Sequence, residues 1–383
     1  MKIISFKKIV IIFLAVLAAV SLLQGCRNAI EYSQDFQYDA AKVLMLGINP
    51  YDESLSPSGV LDSLGLNEYF KQMEANQFPS LLFLLLPYTF LEPLIARYLW
   101  LASNLIFTAL ILLLLRKTFF KDYDITDYII VSLLMISGTP WRNQIGVGQH
   151  TLFSLMFFLL AVWFGEKRPA KNDSLNVLLS GLSLCISYFK YTLTVPLGLY
   201  FIYKRKWREL IISVIPHILL TIVSAVMLHD SVINMILKPL KVANALTSEG
   251  SMDIGSMLGG GFFTMAITVI LLIGLLVIVV LVKDGHDKEI ISLLCMWSLI
   301  ITYHRIYDHF VLIIPLCAFC GFDLIKNFKN NIEFIMLIIL IASDFYIMRI
   351  VSSTGEVALF VVLIYYAYTL YLTARTVAMI KRS

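Results

Sequence analysis

Residues 262–282 read FFTMAITVILLIGLLVIVVLV, with no charged side chain among them. A helix that crosses a bilayer needs about 20 consecutive apolar residues, each adding about 1.5 Å toward a hydrocarbon core about 30 Å thick. This run has that length and stops at Lys283. Comparable apolar runs recur along the whole chain. Of its 383 residues, 59% are hydrophobic and only 15% charged, with a mean hydropathy of +0.82. Soluble domains lie near about 45–50% apolar and about 25% charged. The composition predicts an all-α, polytopic integral membrane protein with a single membrane domain over 1–383. No internal repeat, low-complexity tract or separate soluble domain interrupts it.

Working outward from that run, apolar segments suit spans near 9–25, 95–115, 126–141, 149–165, 175–188, 191–203, 209–229, 262–283, 288–303, 309–326, 332–348 and 356–376, about twelve in all. Lys2, Lys7 and Lys8 precede Ile9–Leu23 as they would in a signal peptide, and Leu23-Gln24-Gly25-Cys26 resembles a lipoprotein cleavage box. Gln24 fits that box poorly, so the simpler expectation is an uncleaved first helix with its basic end in the cytoplasm. Segment 79–93 is apolar but short, and Pro79, Pro87 and Pro93 interrupt it. Read as juxtamembrane or re-entrant, it leaves the basic residues Arg116, Lys117, Lys121, Lys167, Arg168 and Lys171, and the cluster Lys204 to Arg208, on the cytoplasmic side. The expectation is a multi-pass protein of the plasma (inner) membrane with both termini cytoplasmic.

Several function classes fall away. The net charge of +4 is dispersed, which excludes a nucleic-acid partner. Cys185, Cys295, Cys317 and Cys320 lie in apolar runs and read as packing residues, leaving Cys26 apart. There is no phosphate-binding loop of the GxxxxGK[ST] kind, and no paired broken segments that would mark a transporter midplane. Ionisable groups gather instead at the outer face. The loop 26–94 carries Asp35, Asp39, Asp52 and Glu53, and its stretch 61–77 has the pattern of an amphipathic helix. The loop 230–261 ends in GSMDIGSMLGGG (250–261), a composition that suits a mobile lid.

Five outer sites stand out: Asp35; Arg142 through Gln149 and His150; Lys190, between two short spans; the run His304-Arg305-Ile306-Tyr307-Asp308-His309; and Arg349. A charge at membrane depth costs about 2.5–3.5 kcal/mol even on lenient scales, so such groups normally face a cavity or a partner. Lys190 also reads as a snorkelling interfacial lysine, Asp35 as a solvated loop carboxylate, and 304–309 as a polar turn. Two His and one Asp in that turn also admit a metal, though no HExxH is present.

In order and context these residues resemble the membrane glycosyltransferases of the GT-C type, and within them the family 87 group, the polyprenyl-phosphate-mannose-dependent mannosyltransferase-like proteins. The resemblance runs roughly from Asp35 to Leu316. It rests on Asp35, Tyr38, Ala40-Ala41, Gly47 and Pro50-Tyr51, then Phe78-Pro79, Trp100 to Asn104, Gly148-Gln149, Lys190, and finally Tyr307-Asp308-His309 followed by Pro315. Two features depart from the pattern: Tyr191-Thr192 intervene where Pro usually follows the Lys, and His304-Arg305 replace small and polar residues.

The resemblance implies an inverting single displacement at the outer leaflet. A polyprenyl-phosphate sugar donor, mannose-like, would pass its hexose to a lipid or glycan acceptor among the membrane lipids. Asp35 then corresponds to the base that takes the acceptor proton. Lys190 and Arg305 bind the leaving phosphate, and His304 and Arg142 are further substrate-binding residues. Asp308 and His309 orient the acceptor or support the base. Gln149 and His150 hold sugar hydroxyls, and Tyr38 is a further substrate-binding residue. A leaving phosphate already carries charge, so the chemistry requires no metal or other cofactor. An O-antigen polymerase or ligase, or a lipid or solute transporter, are the rival readings. The first expects several Arg in a late outer loop, where 230–261 holds only Lys238 and Lys241.

Overall fold

The computed structural model describes residues 2–33, 36–66, 73–119, 124–167, 173–245, 253–259, 261–319, 331–348 and 355–382. Among the described residues every element is helical. By length and apolarity, six segments are able to cross a membrane: Phe6–Glu31, Pro93–Thr118, Ser174–Tyr203, Trp207–Met227, Phe263–Leu281 and Leu359–Lys381; a bent pair over 139–166 adds a seventh. The chain is thus a membrane protein, but with fewer spans of full length than the twelve expected. Polar breaks cut two of the others short. The expected 126–141 is a 12-residue helix, Ile125–Ile136, stopped at Gly138-Thr139-Pro140. The expected 288–303 is the 15-residue helix Asp287–Ile301.

Helices α1 (Lys2–Glu31), α2 (Tyr38–Met45), α3 (Pro50–Leu55) and α4 (Val60–Ser63) open the chain. Of the stretch 61–77, expected as an amphipathic helix, the start lies in α4, residues 73–77 are not helical, and residues 67–72 lie outside those described. The segment around 79–93 forms α5 (Pro79–Thr89), 11 residues long and too short to cross on its own. It lies on α2, whose Lys42 Nζ donates to Thr89 O at 2.9 Å and whose Tyr38 OH donates to Leu91 O at 2.7 Å. Pro93 then starts α6 (Pro93–Thr118) at its first turn, where the missing N–H costs nothing.

Helix α7 (Ile125–Ile136) runs parallel to α1: Lys7 Nζ is 2.6 Å from Asp127 Oδ1 near one end, and Ser21 Oγ donates to Ser137 O at 2.8 Å near the other. Next come α8 (Thr139–Val147) and α9 (Thr151–Glu166), set at 107° to one another. The corner is Gly148, in the left-handed region at φ +73°, where a Cβ would also meet Ser33 Oγ at 2.6 Å. Only glycine satisfies both demands.

Segment Ser174–Tyr203 has the length of one long span, yet its chain doubles back. It consists of α10 (Asp173–Ser187), a short turn (Tyr188–Lys190) and α11 (Tyr191–Tyr203). Lys190 departs from helical geometry at φ −104°, ψ 72°. Ser180 and Lys206 both sit against Gly165 of α9, although a straight helix would separate them by about 39 Å. The two short helices expected on either side of Lys190 are therefore present, with the lysine at their hairpin.

Helix α12 (Trp207–Met227) leads into α13 (Val232–Ala245), so the first half of the expected flexible loop is helical; residues 246–252 lie outside those described. Lys238 of α13 bridges Asp52 (2.7 Å) and Asp230 (2.6 Å), tying this helix to the first loop. The chain continues through α14 (Ile254–Leu258), α15 (Gly261–Leu281), α16 (Asp287–Ile301), a tight helical segment (Ile306–Leu312), α17 (Ile313–Phe319), α18 (Ile332–Ile341) with a wider π turn (Ala342–Ile347), and α19 (Gly355–Arg382). Helices α11 and α16 are antiparallel: Thr302 Oγ1 donates to Thr192 O at 2.8 Å at one end, and Tyr200 OH donates to Asp287 Oδ1 at 2.7 Å at the other. Lys190 and the 304–309 run thus share one end of the bundle, and Lys204 the opposite end.

Candidate functional site

The hairpin at Lys190 is held by its own backbone, whose N–H donates to Ser154 Oγ of α9 at 2.9 Å. That bond aims the side chain along the break between α8 and α9. The ammonium donates to Gln149 Oε1 at 2.8 Å and lies 2.8 Å from Asp308 Oδ1. It also stands 4.7 Å from the centre of the Tyr307 ring, on the face that attracts cations. All three polar partners are buried.

Asp308 is saturated with donors. Oδ1 takes Lys190 and the Thr151 hydroxyl, and Oδ2 takes His304 Nδ1 at 2.9 Å and the Arg305 N–H at 3.4 Å. Burial works to raise this carboxyl, but Lys190 and then His304 outweigh it and hold Asp308 below the ordinary carboxylate range. The far nitrogen of His304 lies 3.0 Å from Thr302 Oγ1, whose hydrogen is directed to the carbonyl of Thr192 or Ser298. Both ring nitrogens of His304 are thus engaged. The result is a carboxylate that organises cations and has no lone pair to spare for a substrate proton.

These groups floor a cleft whose empty volume is about 620 Å³, part of it open to solvent. Its walls carry Glu74, Asn76 and Gln77 from the first loop, Tyr191 and Thr192 from α11, and Tyr303 and Arg305. Arg305 is exposed and its Nε donates to Tyr303 OH at 2.7 Å. The cleft offers one buried cation, one exposed guanidinium and several amides. Such a set suits a ligand with an anionic group and hydroxyls.

Of the residues singled out in the sequence, Gln149, Lys190, His304, Arg305 and Asp308 come together here. Four others do not. His309 turns away from its neighbour Asp308 and pairs with Asp344 (Nδ1 to Oδ2, 2.6 Å), which also accepts from Tyr365 OH at 2.6 Å. The 304–309 run therefore does not converge as a metal-ligand set. His150 is buried between the rings of Trp100 (5.4 Å) and Phe189 (5.6 Å). Tyr38 is buried, with its hydroxyl on Leu91 O. Arg142 faces α1, bonded to Gln24 Oε1 at 3.2 Å, in a separate open pocket with Arg27, Asn28 and Tyr32. Asp35 and Arg349 lie outside the described residues.

The structure adds Thr151, Ser154 and Thr302 as polar supports and Glu74 as a cleft wall. The hydroxyls carry no sequence signal inside apolar runs, and Glu74 looks like one more loop carboxylate.

A model of glycosyltransferase family 87 matches residues 79–302, more than half of the chain. The match includes Gln149 and Lys190 and stops just short of His304. No match was found among curated proteins or among solved structures.

Proposed function

The chain belongs to glycosyltransferase family 87, so it is a membrane glycosyltransferase, and from that premise we propose that it moves a mannose-like hexose from a polyprenyl monophosphate to a lipid or glycan acceptor. The observation that carries this reading is the buried Lys190 ammonium at the floor of a cleft, flanked by the Arg305 guanidinium. The lipid phosphate approaches those cations as the anomeric carbon leaves it, and they take up the charge that grows on the phosphate. Asp308 and His304 hold Lys190 in place and set the rim that Arg305 occupies. Gln149, Asn76 and Gln77 are within the same cleft to meet sugar hydroxyls.

Asp35 is the base in this proposal. Its flanks support the assignment: Ser33 Oγ donates to Val147 O at 3.0 Å, and Phe36 stacks on Trp100 at 4.7 Å, whose N–H donates to Gly148 O at 2.6 Å. The next residue is Gln149, the partner of Lys190. Residues on both sides of Asp35 are thus anchored within two residues of Gln149. Asp308, with every lone pair engaged, is a positioning residue. The remaining parts of the proposal are the GT-C type of fold, short helices completing about twelve crossings, cytoplasmic termini and a cleft facing the outer leaflet of the inner membrane.

Purified protein incubated with a panel of radiolabelled polyprenyl-phosphate sugars and membrane glycolipid extract should transfer label from one donor of the panel. Transfer only from a nucleotide sugar or a polyprenyl diphosphate would contradict the proposal.

A further inference from the structure

At the end of the bundle opposite the cleft, α11 and α12 meet in a tight turn. The Arg205 N–H donates to Ile202 O at 2.9 Å and the Lys206 N–H to Phe201 O at 2.8 Å. This pattern closes a helix C-terminus through one left-handed residue, a position that glycine usually fills. Here it is Arg205, at φ +53°. Its Cβ is crowded in that conformation, so the backbone gains nothing from an arginine there.

The arginine side chain lines a groove of about 610 Å³ with Ile202, Tyr203, Trp207, Val280 and Asp284. The neighbouring Lys204 is paired to Asp287 at 2.8 Å. Arg205 and Asp284, by contrast, share the groove without bridging. Among the described residues neither side chain has a hydrogen-bond or ion-pair partner. Two unpaired charges of opposite sign leave a seat for a ligand that carries both. Beside the charged residues Lys204 to Arg208 and Lys283, one side of the groove is apolar: Val277, Val280 and Leu281 of α15 are 49%, 60% and 55% exposed, and Trp207 is 55% exposed. Trp207 opens the candidate span Trp207–Met227, and tryptophan at a span end is typical of the boundary between acyl chains and headgroups.

We propose that this groove binds a phospholipid with a phosphoethanolamine headgroup, its phosphate on Arg205 and its ammonium on Asp284, with acyl chains along α15. The guanidinium meets the phosphate through two N–H donors. The primary ammonium donates to the carboxylate. A glycerol headgroup supplies the phosphate and leaves Asp284 facing an anion. A choline headgroup supplies a cation with no N–H to donate and with more bulk. The site is independent of the transferase reading, since none of its residues belongs to the cleft.

The test uses full-length protein in detergent and native mass spectrometry with phosphatidylethanolamine, phosphatidylglycerol and phosphatidylcholine of equal acyl chains. Wild type should retain the ethanolamine lipid about tenfold better than the other two, the value of about one charge-assisted bond. Asp284→Asn should bring ethanolamine and glycerol lipids level. Arg205→Gly should lose both while its melting temperature without lipid is unchanged or higher, because glycine suits the turn. Arg205→Gln, which keeps the backbone strain, should lose binding as Arg205→Gly does. Equal retention of the three lipids by wild type, or full ethanolamine-lipid retention in Arg205→Gln, would overturn the proposal.

Discussion

The Lys190 ammonium lies 2.8 Å from Asp308 Oδ1, and both residues are buried, at 7% and 1% exposure. A buried pair is costly to leave half-made: removing one partner typically costs about 3–5 kcal/mol, whereas replacing both with apolar groups is often neutral. Lys190→Ala should therefore lower thermal stability markedly and weaken binding of a polyprenyl phosphate. The double variant Lys190→Met/Asp308→Leu should recover stability and remain inactive. Melting curves beside donor-binding isotherms separate the two effects. Full donor affinity in Lys190→Ala would return Lys190 to the role of a snorkelling lysine.

His304 holds the second oxygen of Asp308 at 2.9 Å. A positioning role predicts that His304→Gln raises the KM for the lipid donor more than it lowers kcat, since an amide keeps one bond to the carboxylate. His304→Phe should lower both. A fall in kcat alone for His304→Gln would instead put the imidazole in contact with the reacting atoms.

The two ends of the bundle should lie on opposite sides of the membrane. In a cysteine-free background, Arg305→Cys should react with an impermeant thiol reagent from outside, and Trp207→Cys only after the membrane is opened. Both side chains are exposed. The reverse pattern would invert the proposed orientation.

Lys238 joins the first loop to α13 through Asp52 and Asp230, and Ala243 of α13 lines the cleft. Lys238→Ala should speed amide exchange in α13 and raise the donor KM several-fold without changing the fold. The bond to Lys238 is the main cause that holds Asp230 down to about 2. A depressed carboxylate stabilises above its ordinary value near 3.8 and loses that contribution as pH falls through about 2. The difference between Lys238→Ala and wild type should therefore be the same at pH 5 and pH 8. No change in α13 exchange would show that the clip does not hold this helix.

Much of the cleft was legible because a charge beside an apolar run is expensive and needs a reason. That logic picks out Lys190, His304, Arg305 and Asp308, and it places Lys190 at a hairpin. It cannot say which way a side chain turns. Asp308 and His309 are adjacent on a tight helical segment, where neighbours point about 120° apart, so one meets Lys190 and the other meets Asp344. Arg142 and His150 lie away from the cleft for a similar reason. The sequence marks a polar break between apolar runs, but the 107° corner at Gly148 sends Arg142 toward α1 and buries His150 among aromatic rings. Spans of full length are fewer than the apolar runs because a short helix such as Ile125–Ile136 ends at a Gly-Thr-Pro sequence that an apolar tally runs through.

The most direct measurement is turnover by Asp35→Asn with the polyprenyl-phosphate sugar that wild type uses, with donor binding measured on the same preparation. An asparagine keeps the shape of the side chain and cannot accept the acceptor proton, and loss of a general base costs about 10²–10⁴ in rate. Donor affinity should stay at the wild-type value, since Lys190, Gln149 and Arg305 are untouched, while the rate falls by at least about 10². Wild-type turnover in Asp35→Asn would contradict this and remove Asp35 from the chemistry.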